Sequence, residues 1–177
     1  MYIKIDHKTI TLLLKKKVIA LERFVYADNS ATTAVSQSVM EAMLPYYREH
    51  YGNPSSLYSV GRDAKKAVET AREDIARCFN AEPGEIFFTS GGSEADNQAL
   101  RTAAALGEKR GKRHIVSTKF EHHAVLHTLQ ALEREGFEVT LLDIPPDGVV
   151  TAEQVRDAIR PDTCLVSVMF ANNEIGT

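Results

Sequence analysis

No apolar run in these 177 residues approaches the ~20 that a membrane-spanning helix needs. A secretory leader is not legible either. The apolar stretch at residues 10–14 is short and runs into Lys15-Lys16-Lys17, whereas a leader carries a longer apolar region after its charges and then a small-residue cleavage site. Cysteine is scarce. Cys78 and Cys164 have no zinc-type spacing and form no disulfide framework, which suits a reducing, cytoplasmic setting. Charge of one sign is lacking too. A net charge of −3 gives no basic surface for nucleic acid or a membrane, and neither is expected as a partner. There is no internal repeat and no low-complexity segment. What remains is 44% hydrophobic and 25% charged, enough apolar material for a buried core.

The length suggests one domain with a small appendage. Residues 1–23 read as that appendage, disordered or a start-site artefact, with a short amphipathic helix as the alternative. From 35 to 51 the spacing of Val39, Met43, Leu44 and Tyr47 predicts a helix, kinked or broken at Pro45. Tyr51-Gly52-Asn53-Pro54-Ser55-Ser56 is turn chemistry. A second helix is expected over 61–79, burying Ala64, Ala67, Val68, Ala71, Ile75, Ala76 and Phe79, with Cys78 close to that face as a small core residue. The chain then alternates. Strands are expected at 86–89, 114–118, 137–142 and 164–170. Helices are expected at 93–106, closed by Gly107, and at 122–134. Thr151-Ala152-Glu153-Gln154 reads as a capping box opening a helix that ends near Arg160. This rhythm predicts an α/β fold with a mostly parallel sheet flanked by helices.

Three polar clusters follow predicted strands: Ser90-Gly91-Gly92-Ser93, Glu121-His122-His123 and Asn172-Asn173-Glu174. Parallel strands end on one edge, so the clusters should converge there. The glycine turn into a helix aims backbone N–H groups and the positive dipole end at one point, where a phosphate fits. An ordinary strand–helix connection is the other reading of that turn. Ser93 equally suits a helix N-cap, His122 a helix start and Asn172 a turn. A phosphate site, a flat imidazole and an amide donor together match the shape of pyridoxal phosphate. His123 and His127, four apart on a helix, have a spacing that can bind metal, but no third ligand is evident and no metal site is expected.

Five blocks carry a resemblance. They are Tyr26-Ala27-Asp28-Asn29-Ser30-Ala31-Thr32-Thr33, Gly52-Asn53-Pro54-Ser55-Ser56, Phe88-Thr89-Ser90-Gly91-Gly92-Ser93-Glu94-Ala95-Asp96-Asn97, Glu121-His122-His123-Ala124-Val125-Leu126 and Asn172-Asn173-Glu174-Ile175-Gly176. In order and spacing they resemble the N-terminal part of a cysteine desulfurase, a pyridoxal-phosphate enzyme of the aminotransferase class V superfamily with fold type I. The variant of the last three blocks is similar to the group serving nitrogenase maturation and general iron–sulfur assembly. Tyr58 departs from the pattern, where histidine is frequent.

The resemblance implies a truncated fold-type I architecture. Residues 24–60 would contribute to the small domain and the site, and 61–177 would form part of the large cofactor-binding domain. It implies that Gly92 and Ser93 hold the cofactor phosphate. His122 would stack on the pyridine ring and act in catalysis, and Asn172 would donate to the phenolic oxygen. Asn29 and Asn53 would help shape the pocket for L-cysteine. It also implies a homodimer that passes sulfur to an iron–sulfur scaffold or another acceptor protein. The lysine that holds the cofactor, the carboxylate on the pyridine nitrogen and the sulfur-accepting cysteine lie downstream of the last block in the family. Lys65, Lys66, Lys109, Lys112 and Lys119 fall outside any matching motif. The isolated chain is therefore expected to be inactive and to look like the first part of a longer protein. Two other functions stay open: another class V aminotransferase or lyase, and a non-catalytic binding domain.

Overall fold

A computed structural model describes residues 25–177; the expected appendage lies outside the described residues. The chain separates into two compact units, divided after Asp74.

The first unit holds α1 (Gln37–Arg48) and most of α2 (Ser59–Phe79). Ser36 caps α1, its hydroxyl accepting from the Val39 N–H, and Pro45 sits inside the helix. The expected apolar face of α2 is only partly covered. Ala64 and Ala76 are buried, but Val68 and Phe79 are exposed, Phe79 at 75%. Cys78 is exposed rather than a core residue, because at the end of α2 the cover that buries Ala76 does not extend to it or to Phe79.

The second unit carries the sheet. A 3₁₀ turn (Pro83–Glu85) precedes α3 (Gly92–Glu108), β1 (His114–Thr118), α4 (His123–Arg134), β2 (Glu138–Leu142), α5 (Ala152–Ala158) and β3 (Thr163–Val166). The strands are parallel in the order β2-β1-β3. Every residue of β1 is buried, as a central parallel strand covered on both faces requires. Leu100 and Ala104 of α3, Ile115 of β1, and Val125, Leu129 and Leu132 of α4 form the core with Phe137. Glycine at 107 is fixed by packing. It lies inside α3 and does not close it, and a Cβ there would stand 2.3 Å from Cys164 Cβ on β3. The helix continues to Glu108, and the left-handed residue is Gly111.

The predicted capping box is present, Thr151 and Gln154 exchanging side-chain and backbone hydrogen bonds. Two strand expectations need correction. Residues 86–89 are not part of the three-stranded sheet, although Ile86 has extended dihedrals. β-prone side chains favour extension, but a strand exists only through its ladder. The last strand is shorter than 164–170. After Ser167 N–H bonds Val116 O, the next donor used, Met169 N–H, goes to the Glu121 carboxylate and leaves the ladder.

Candidate functional site

Side chains of α3 and of α4 with its cap line the candidate site, and α4 follows closely on the carboxyl end of β1. The N-cap of α3 is Gly91, which supplies no side-chain cap to the helix's first N–H groups. Those amides are available to an anion, and the dipole of a 17-residue helix adds to their pull. The turn is held from behind. Glu94 Oε2 accepts from both Ser90 N–H (2.7 Å) and Ser90 Oγ–H (2.6 Å). These bonds hold the Glu94 carboxyl below its ordinary range. A Cβ on Gly91 or Gly92 would meet no atom within 4 Å, and neither glycine has a left-handed φ. Nothing in the folded chain demands glycine there. What the two glycines leave is bare backbone facing open space, the feature a phosphate needs to approach closely. The fit to a phosphate-bearing cofactor rests on that cradle.

Ser93 is the second residue of α3 and is exposed; the capping position belongs to Gly91. It lines an open cleft of about 390 Å³ together with Asn97, Arg101, His122, His123 and His127. His122 is the N-cap of α4, with Nδ1 accepting from Ala124 N–H at 3.1 Å. An acceptor role for Nδ1 puts the proton of the neutral ring on Nε2. The imidazole is exposed and its flat faces remain available. His123 borders the same cleft, and its ring stacks on His127 with centroids 5.5 Å apart. Among the described residues no group of three or more histidine, cysteine or acidic side chains is placed to hold a metal ion.

Asn172 is buried at 6% exposure and organises the segment after β3. Its Oδ1 accepts from Glu174 N–H (2.8 Å) and Ile175 N–H (3.0 Å). Its amide nitrogen donates to Phe120 O at 2.8 Å and approaches Met169 Sδ at 3.4 Å. The third cluster is thereby tied to the backbone two residues before His122. Ser93 and His122 share the cleft, and Asn172 does not line it but is bonded to the segment that leads into His122. Asn29 and Asn53 lie in the first unit. Asn29 is exposed, and Asn53 Oδ1 accepts from Ser55 N–H at 2.9 Å, closing a local turn.

Sequence reasoning missed three contributors. Asn97 and Arg101 follow Ser93 at helical spacing on the cleft wall, and that periodicity was the available signal. Glu121 belongs to the Glu121-His122-His123 run, where the sequence alone assigns it no role. It is buried, and desolvation pushes its carboxyl up, opposed by hydrogen bonds from Met169 N–H and Thr118 Oγ–H.

These features define an α/β protein with a parallel sheet, an uncapped helix N-terminus and an exposed imidazole on one cleft. The aminotransferase class V family model matches residues 25–177, and the chain belongs to that family. It is 56% identical over 157 residues to a cysteine desulfurase, IscS, of Clostridium botulinum, covering 89% of this chain and 39% of that protein. It is 54% identical over 153 residues to the IscS of Methanosarcina thermophila, covering 86% and 38%. Among solved structures, a NifS-like protein superposes with a TM-score of 0.82 at 46% identity, over 86% of this chain and 42% of that one. A structure of SspA in complex with cysteine gives 0.77 at 40% identity, over 84% and 43%. The chain spans about two fifths of the length of the curated relatives it matches. No helix among the described residues is long and apolar enough to cross a membrane.

Proposed function

We propose that this chain supplies the N-terminal part of a pyridoxal-phosphate-dependent cysteine desulfurase. The observation that carries the reading is the placement of the uncapped first turn of α3 and the exposed His122 ring on one cleft. Gly92 and Ser93 would hold the phosphate, and the flat face of His122 would lie against the ring. Asn172 would stand by the phenolic oxygen and donate to it the second amide N–H, which here meets only Met169 Sδ, keeping its bond to Phe120 O. The cofactor, when bound, supplies an electron sink for bond breaking at an amino acid. The overall change moves one sulfur atom from L-cysteine to an enzyme thiol, leaving L-alanine and a persulfide. The desulfurase names of the relatives support the substrate.

The complete enzyme would act as a cytoplasmic homodimer and pass its sulfur to an iron–sulfur scaffold or another acceptor. The chain alone would not turn over, since Lys65, Lys66, Lys109, Lys112 and Lys119 fall outside any cofactor-directed motif. Lys119 pairs with Asp143, and Lys112 donates to Thr163 O at 3.4 Å.

The test is a titration of the isotope-labelled chain with pyridoxal 5′-phosphate, followed at backbone amides and histidine rings. Gly92, Ser93 and His122 should respond. Pyridoxal, which lacks the phosphate, should leave the Gly92 and Ser93 amides unmoved. Equal responses to both compounds, or responses confined to other residues, would refute the assignment. Alanine formed from cysteine by the chain alone would refute its inactivity.

A further inference from the structure

We propose that Glu121 is a positioning residue, a hydrogen-bond acceptor that clasps the segment after β3 and thereby sets His122 against the Asn172 turn. The inference deepens the function proposed above and rests on that reading for its importance to chemistry. The parallel ladder joins β1 to β3 as far as the Ser167 N–H to Val116 O bond. Beyond it, two side-chain links continue the connection. Glu121 Oε1 accepts from Met169 N–H at 2.6 Å, bridging 48 residues of sequence. Asn172 Nδ2 donates to Phe120 O at 2.8 Å, bridging 52.

The geometry is closed at both ends. Thr118 Oγ–H also reaches Glu121 Oε1, at 3.3 Å, so the carboxylate is braced from the last residue of β1, three positions earlier. His122 follows immediately with extended dihedrals and caps α4. A rotation of Glu121 would therefore move the backbone that aims the imidazole. Without an acceptor at 121, Met169 N–H would lose its partner at a part-buried site, a costly state for a backbone donor. A buried carboxyl is itself unfavourable, which argues for a specific task. That task is acceptance by Oε1. Gln carries the same oxygen and should substitute; Ala should not.

The experiment uses the full chain without cofactor and compares wild type, Glu121→Gln and Glu121→Ala. Hydrogen exchange at Met169 should accelerate roughly 10- to 100-fold in Glu121→Ala, the usual range for losing a bond to a charged acceptor. The ring signals of His122 should shift in that variant while those of His127 stay in place. A scaffolding residue with no hold on His122 would not produce that pattern. Glu121→Gln should restore the His122 signals and most of the Met169 protection.

Wild-type exchange at Met169 and unmoved His122 signals in Glu121→Ala would overturn the proposal. So would His122 signals in Glu121→Gln as displaced as in Glu121→Ala. If Glu121→Ala also lost protection at Ile115 in the core, Glu121→Gln would decide by the same two readouts. Pyridoxal 5′-phosphate added afterwards separates the two questions. A His122 ring indifferent to the cofactor would sink the cofactor reading and leave the clasp standing.

Discussion

His122 has two duties in this structure, and they can be separated by substitution. Its ring nitrogen caps α4 through the 3.1 Å bond from Ala124 N–H. Its exposed ring face is the surface proposed for the cofactor. His122→Ala removes both. Loss of a capping acceptor costs about 1 kcal/mol of stability, and loss of the stacked ring costs about another 1 kcal/mol of cofactor binding. His122→Asn keeps a strong N-cap and removes the ring. Urea unfolding should therefore place His122→Asn within a few tenths of a kcal/mol of wild type, while His122→Ala falls short by about 1 kcal/mol. Affinity for pyridoxal 5′-phosphate should drop about fivefold in both variants. His123→Ala, whose ring rests on His127 and caps nothing, should change affinity less than either. In the complete enzyme the loss of a proton-transfer group should slow turnover by about 10²-fold or more. The reasoning fails if His122→Asn loses as much stability as His122→Ala. It fails equally if His122→Asn binds cofactor as wild type does.

Gly107→Ala should destabilise the chain by about 1–3 kcal/mol despite alanine's better helix propensity, because its Cβ would press on Cys164 Cβ. Cys164→Gly should relieve the strain and Cys164→Ala should not, as read by urea midpoints. His114 is buried, with Thr163 Oγ1 2.7 Å from Nδ1 and Thr140 Oγ1 2.9 Å from Nε2. Burial, reinforced by Arg160, lowers its pKa below the ordinary 6.5. The neutral ring thus contributes stability above that value that is lost as pH falls through the depressed pKa, and His114→Gln should show a shallower decline in that window. An equal decline in both would refute the assignment. Thr151→Ala should cost about 1 kcal/mol by removing the α5 cap, and no change in the unfolding midpoint would count against it.

The order of elements was written in local patterns. The Thr151–Gln154 capping box, the apolar run at 114–118 and the helical spacing before Arg134 each depend on neighbours in sequence, so they were legible there. The candidate site was legible as residue types for the same reason: two glycines before a helix, a histidine at a helix start and an asparagine after a strand are local chemical signatures. Which groups those residues touch was not written locally. Residues 86–89 have strand composition, yet sheet membership depends on a partner elsewhere in the chain. Gly107 looked like a helix stop, but contact with Cys164 on β3 makes it a close-approach residue inside the helix. Glu121 looked like part of a motif, and only the approach of Met169 shows it as an acceptor linking two loops. Backbone propensity and capping act over a few residues, whereas strand pairing, packing and buried hydrogen bonds act between segments that only the folded chain brings together.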